Sequence, residues 1–503
     1  MGKYLLGLDN GGTNTKAVIF DIDGNTVATA YEQVELITPG EGRTERDMDV
    51  LWEVNCSVIK RAIENAKIEP REILGLSLSG HGKGLYLWGK DKKPAYKGIV
   101  STDTRAYMYP EKWQKDGTAE KIFEKTCQKV LACQPVSLVS WLKDNEPEVI
   151  QNTQWIFGVK DYIRFKLTGE ANAEITDISG SNFVNIREAK YDKELLCDFG
   201  LEDIYDKLPP LKYSTEVSGY ITPQTSKKTG LAIGTPVAAG MFDIDACAIA
   251  MDITDEENLC VIAGTWSINE YIATEPVLNK TVMMNSLYCI PGYYLVEECS
   301  PTSAANNEWF LNKFMQEEKA LAEKRGISVY EIINGMVESV KPDEQNIIFL
   351  PYIFGSNYNP QAKASFIGMD SSHTKEQIAR SVFEGVVFCH KIHIEKLFMN
   401  RSKPKSVRLA GGAANSKVWV QIFADVLNLP IEIIETKELG ALGAAMAAGV
   451  AAGVFENLKD AANKLVKIKQ RVEPIRENVK IYQSKFELYK ETSQVLDSLW
   501  KKF

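Results

Sequence analysis

A chain of 503 residues is longer than one hydrophobic core usually supports, so two domains of similar size are expected. With 58 basic against 67 acidic residues, the net charge of −9 argues against a general nucleic-acid binder but not against a nucleotide held by local donors. No apolar run approaches the ~20 residues that cross a bilayer, so no membrane partner is expected.

The chain begins with strand-like residues 4–8, without the pattern of a secretory signal. They are followed by Asp9-Asn10-Gly11-Gly12-Thr13-Asn14-Thr15-Lys16 and a second strand at 17–20. Gly and Asn tolerate the positive φ of a tight reversal, so the connector reads as a hairpin turn. A third strand is expected at 26–31, a helix at 50–66, and a strand at 73–78 that runs into Ser79-Gly80-His81-Gly82-Lys83-Gly84. Residues 234–239 read as a strand delivering Phe242-Asp243-Ile244-Asp245 onto a loop or helix start. The strand at 258–263 ends in Gly264-Thr265-Trp266-Ser267. An apolar strand thus leads twice into a short Gly/Thr turn, an echo that suggests two related domains, 1–253 and 254–503. Further on, a strand at 406–409 precedes Ala410-Gly411-Gly412-Ala413-Ala414-Asn415-Ser416 and a helix. Residues 441–454 are rich in Ala and Gly, which suits close helix packing, and 457–503 read as charged and helical. The nine cysteines are scattered, with no CxxC pair, which predicts free thiols and a cytoplasmic location.

The Gly/Thr/Ser turns present backbone N–H groups that can cradle phosphate, though no P-loop or protein-kinase motif is present. Asp9 beside such a turn reads either as a Mg²⁺ ligand or as a turn cap. Asp243 and Asp245 read either as a general base for a substrate hydroxyl or as helix caps, and spacing alone does not choose. Lys83 and His81 fit a polar substrate or a plain surface turn. His390 and His393 share a helix face without a third metal ligand and read as structural.

Together these segments resemble the FGGY family of carbohydrate kinases over nearly the whole chain. The most specific similarity is Ala364-Ser365-Phe366-Ile367-Gly368-Met369 leading to Gln377-Ile378-Ala379-Arg380-Ser381-Val382-Phe383-Glu384-Gly385. The resemblance implies an α/β protein of two actin-like, ribonuclease-H-like ATPase domains flanking a deep cleft, with sugar held by the first and nucleotide by the second. It implies Asp243 as catalytic base, which breaks the tie with Asp245. It also implies sugar contacts from His81, Gly82, Lys83 and Asp103. Nucleotide contacts are implied for Gly12, Thr13, Thr15, Lys16, Gly264, Thr265, Ser303, Asn307, Gly411, Gly412, Asn415 and Ser416, with Asp9 on Mg²⁺. Within the family, Gly82-Lys83-Gly84-Leu85, Ser101-Thr102-Asp103-Thr104-Arg105-Ala106 and Ser300-Pro301-Thr302-Ser303 resemble the L-xylulose kinases. The expected reaction is ATP-dependent phosphorylation of L-xylulose at C5, by a homodimer. Kinases for D-xylulose, erythritol or glycerol are the alternatives, followed by a non-catalytic ATPase or sugar sensor on the same scaffold.

Overall fold

The computed structural model describes residues 3–356 and 359–503. The opening strands form an antiparallel meander of β1 (Tyr4–Asn10), β2 (Asn14–Asp21) and β3 (Thr26–Gln33). Their first turn is the expected hairpin. Asp9 pairs with Lys16 and Asn10 with Thr15, and the Gly11 N–H donates to the Asn14 carbonyl at 2.9 Å.

Helix α1 (Met48–Ala66) begins where the Asp47 carboxylate accepts from the N–H groups of Asp49 and Val50, and ends at Lys67 in the left-handed conformation. Its buried stripe, including Leu51, Val58, Ile59 and Ala62, covers one face of β2 and β3. Strand β4 (Ile73–Gly80) returns parallel to β1. After helix α2 (Val159–Thr168) come β5 (Val217–Tyr220), β6 (Pro236–Ala238) and β7 (Met241–Phe242). The sheet runs β5-β6-β4-β1-β2-β3, with β7 paired to the end of β4. Helix α3 (Asp243–Ala250) follows β7 directly.

The second sheet repeats this plan. Strand β8 (Asn258–Ala263) pairs antiparallel with β9 (Ser267–Ala273), and β9 with β11 (Tyr294–Ser300), beyond which lies β10 (Met284–Leu287). Helices α4 (Ala305–Phe314) and α5 (Lys375–Phe398) intervene before β12 (Ser406–Gly411), which returns parallel to β8. Then come α6 (Lys417–Leu427), β13 (Ile431–Ile434) parallel to β12, α7 (Leu439–Ala451), β14 (Ile468–Val472) antiparallel to β13, and α8 (Arg476–Asp497). Each half therefore has an antiparallel meander whose first strand is flanked by two parallel strands and a closing antiparallel one. This accounts for the echo in the sequence.

One expectation needs correction. Residues 457–503 are not helical throughout, because β14 forms the edge of the second sheet. Its middle residues, Lys469-Gln470-Arg471, are exposed, and such charged edges discourage pairing with another chain.

The two sheets share a core through α3 and α7. One buried cluster takes Leu5, Val18 and Phe20 from the first sheet, Cys260, Ile272 and Leu295 from the second, and Ile249, Ala445 and Met446 from the helices. Although α7 comes late in the chain, it lies against β1 and β4. The approach is close enough to demand small residues: a Cβ on Gly7 would stand 1.9 Å from the Ala441 carbonyl oxygen, and one on Gly443 2.2 Å from that of Ala246. Helices α3 and α7 thus bring their N-termini to the ends of the first sheet's strands.

Candidate active site

Asp9 lies near the end of β1, within reach of the α7 N-terminus. Its Oδ1 accepts from the Ser79 hydroxyl at 2.8 Å, and its Oδ2 faces Gly440, where a Cβ would come within 2.7 Å. Burial raises its pKa, partly offset by the Ser79 hydrogen bond and Lys16, while Glu438 adds to the rise. Lys16, opposite Asp9 on β2, makes a 2.6 Å ion pair with Glu438. Beyond Asp9, Gly12 and Thr13 are exposed, whereas Thr15 is fully buried and its hydroxyl donates to Asn10 Oδ1 at 3.3 Å.

Asp243 is the first residue of α3 and is half-buried. The strand before it turns at Gly240, whose φ of +90° and 2.3 Å Cβ approach to the Leu78 carbonyl oxygen exclude any other residue. Burial, with the charges of Asp9 and Asp177, pushes the Asp243 carboxyl up to about 8, against the pull of Lys83 and the Ile244 N–H. Asp245 is in a different setting. It is fully buried, its Oδ1 accepts from the Cys289 N–H at 3.0 Å, and burial holds its pKa far above the carboxylate range. Neither aspartate caps α3, whose N-terminus has no side-chain cap.

The loop after β4 packs on Phe242. A Cβ on Gly82 would meet that ring at 2.4 Å, and Lys83 Nζ lies 5.8 Å from its centre. Burial alone would lower the Lys83 pKa, but Glu297, Cys299, Cys133 and Asp243 outweigh it, so the ammonium stays charged. His81 and Asp103 are already engaged. The His81 Nδ1–H faces the Gly82 carbonyl at 3.3 Å, which leaves Nε2 to accept from the Tyr86 hydroxyl at 3.0 Å. Burial, with Arg46 nearby, lowers the imidazole pKa to about 3. Both oxygens of the buried Asp103 accept from Arg105, and Oδ2 also takes the Thr44 N–H at 2.7 Å. Of the expected sugar contacts, Lys83 presents the polar group without a hydrogen-bond or ion-pair partner among the described residues.

On the second sheet, Thr265 is exposed at the end of β8, as are Gly411, Gly412 and Asn415 at the end of β12. Gly411 has a φ of +87°, and a Cβ there would stand 2.4 Å from the Ala263 carbonyl oxygen, which brings these two turns together. Gly264 is half-buried in the first of them. Ser416 instead caps α6, and Ser303 is buried with its hydroxyl 2.7 Å from His390 Nε2. His390 Nδ1 lies 2.7 Å from Asn269 Oδ1, so this histidine ties α5 to β9 in the expected structural role. Asn307 is buried with its side-chain oxygen unpartnered among the described residues.

A cavity of about 510 Å³ next to Thr265 is lined by Ala305, Glu308, Trp309, Phe354 and Ala364, among others. The sequence reading missed Phe354 and Glu438, which lack a local motif and join the site only through the fold. It also missed Arg46, which is fully buried, donates to the Gly12 carbonyl, and has no hydrogen-bond partner at Nε or Nη1 among the described residues.

The chain matches the family model described as the FGGY family of carbohydrate kinases, N-terminal domain, over residues 4–250. It matches the C-terminal domain of the same family over residues 259–452. A probable L-xylulose kinase of Pasteurella multocida is 35% identical over 498 residues, covering 99% of this chain and 100% of that protein. An L-xylulose/3-keto-L-gulonate kinase of Escherichia coli is 35% identical over 491 residues, covering 97% of this chain and 96% of that protein. Among solved structures, a ligand-bound xylulose kinase from Lactobacillus acidophilus is 25% identical and superposes over the full length of both chains with a TM-score of 0.90.

Proposed function

The chain belongs to the FGGY family of carbohydrate kinases, and from that premise we propose that it transfers the γ-phosphoryl group of ATP to the C5 hydroxyl of L-xylulose. ATP-dependent sugar phosphorylation follows from the family and from kinase-named relatives. The observation that carries the mechanism is the half-buried Asp243 carboxyl at the start of α3, whose pKa of about 8 suits a proton acceptor near neutrality. In this reading Asp243 takes the proton of the attacking hydroxyl, and Lys83 donates to a sugar oxygen. His81, Gly82 and Asp103 set the shape of the sugar side. Gly12, Thr13, Thr15 and Lys16 form the phosphate side of the first half. The second half holds the nucleotide through Gly264, Thr265, Ser303, Asn307, Gly411, Gly412, Asn415 and Ser416, with the division between the halves near residue 253.

Magnesium is part of the same proposal. Asp9 fits it, because its carboxylate lies near the end of β1 beside the exposed Gly12-Thr13 turn, with Oδ1 accepting from Ser79, where a cation would stand between it and substrate phosphates. Mg²⁺ is commonly held by one or two carboxylates plus substrate phosphates, and when bound it would offset negative charge on those phosphates. The proposal also includes a cytoplasmic homodimer. The nine free cysteines support a reducing compartment, and a solution mass near twice 56.2 kDa would support the dimer.

The test is ADP release over a panel of L-xylulose, D-xylulose, erythritol and glycerol. L-Xylulose is expected to give the highest kcat/KM, and a better result with any of the others overturns the substrate assignment. The Lys83 ammonium, which has no hydrogen-bond or ion-pair partner among the described residues, supports a second substrate, because it would also seat the carboxylate of a keto-sugar acid. 3-Keto-L-gulonate, which appears in the name of the Escherichia coli relative, therefore joins the panel. Lys83→Met is expected to raise KM about tenfold or more for every accepted sugar, since a hydrogen bond from a charged donor is lost. An unchanged KM removes Lys83 from the sugar site.

A further inference from the structure

Next to the Asp243 segment lies a cluster of five buried charges, none of which is assigned a contact with sugar or nucleotide. Lys160 Nζ is 3.3 Å from Asp161, 3.2 Å from Glu174 and 3.3 Å from Asp177. Arg164 is 2.8 Å from Asp161. All five are buried, and three carboxylates face two cations. Such a cluster is weak evidence for net stability, because desolvation of the ions offsets much of their attraction. Its contacts point to another role.

Three positions just before Asp243 are each held by this network. The Phe242 N–H donates to the Thr176 hydroxyl oxygen at 2.9 Å, and that hydroxyl donates to Glu174 Oε2 at 2.8 Å. The Gly240 N–H donates to the Ser214 carbonyl at 3.1 Å, and the Ser214 hydroxyl donates to Glu174 Oε1 at 2.8 Å. The Ala239 carbonyl accepts from Arg164, which is paired with Asp161. The clamped segment also pairs Met241 with Ser79 and Phe242 with Gly80, and the Phe242 ring supports Gly82. Position 242 therefore sets the start of α3, whereas the Lys83 loop is held independently by the His81 N–H on the Asn10 carbonyl at 2.9 Å and the Gly84 N–H on the Cys133 carbonyl at 2.8 Å.

We propose that Lys160 and Thr176 are positioning residues: Lys160 holds the Asp161–Glu174–Asp177 carboxylates together, and Thr176 passes that constraint to the Phe242 backbone, aiming the Asp243 carboxylate at the sugar hydroxyl. The proposal rests on the reading of Asp243 as proton acceptor. A backbone held at several points near the base keeps its carboxylate in reacting geometry, and small misplacements in such sites cost rate more than binding.

The decisive variant is Thr176→Val, which keeps the shape of threonine and all five charges but removes the acceptor of the Phe242 N–H. It is expected to lower kcat at least about tenfold with sugar and ATP KM within about threefold, while Thr176→Ser retains most of the rate. The double variant Thr176→Val/Asp243→Asn should be no slower than Asp243→Asn alone, because the threonine acts through the aspartate. Lys160→Met, if it folds, should show the same kcat loss, and Lys160→Arg a smaller one. A folded Thr176→Val enzyme with wild-type kcat, measured beside an inactive Asp243→Asn enzyme, overturns the positioning role and leaves the base assignment standing. A fully active Asp243→Asn enzyme instead overturns the base assignment, and the positioning role falls with it.

Discussion

Asp243→Asn is expected to lower kcat by roughly 10²–10⁴-fold while sugar and ATP still bind, because the amide keeps the shape of the carboxylate but cannot take the proton. A second signature comes from its raised proton affinity. The base must be ionised to act, so wild-type kcat/KM for the sugar should rise with pH along an acid limb above the ordinary carboxylate range, where burial holds this group. That limb should disappear from the residual activity of the variant. Stability should move in the opposite direction. Between the ordinary carboxylate value of 3.8 and about 8, the folded protein holds a proton that the unfolded chain has released. Folding stability from this group is therefore lost as pH rises through that window. The asparagine variant lacks the penalty and should melt above wild type by a margin that grows from pH 5 to 8, reaching about 1–3 kcal/mol after allowance for partial exposure. A variant with turnover within about tenfold of wild type and no change in melting would remove Asp243 from the role of base.

Asp9→Asn should produce the next largest loss, about 10²–10³-fold in kcat/KM for MgATP, with the sugar KM little changed. The carboxylate stands between the Ser79 hydroxyl and the N-terminus of α7, and its charge is felt at Asp243. Titration with Mg²⁺ gives a further check, since added metal should recover part of the loss. If metal leaves the defect unchanged and sugar affinity collapses instead, Asp9 serves the sugar side and the metal assignment is wrong.

Much of the first sheet was legible because its information is local. The Asn and Gly of the first turn announce a hairpin, β1 and β2 flank it as expected, and β3 follows the next turn. The difference between Asp243 and Asp245 was not local. Their spacing is symmetric, and only the fold shows that Asp245 is buried against the Cys289 N–H while Asp243 is half-buried. Strand β14 was hidden for a different reason: its solvent-facing Lys, Gln and Arg carry the same polarity as an exposed helix. The engagement of His81 and Asp103 was equally unreadable, since Tyr86, Arg105 and Thr44 meet them only after the chain has folded.

The late position of α7 in the chain has a consequence for synthesis. The last strand of the first sheet ends at Phe242, yet the helix that covers β1 and β4 begins at Leu439, about two hundred residues later. At ribosomal speeds of about 5–20 residues per second, the nascent chain carries that uncovered apolar face for roughly 10–40 s. A message truncated before codon 439 is therefore expected to yield an aggregating fragment and not a folded first half, which sedimentation of the truncated product would show.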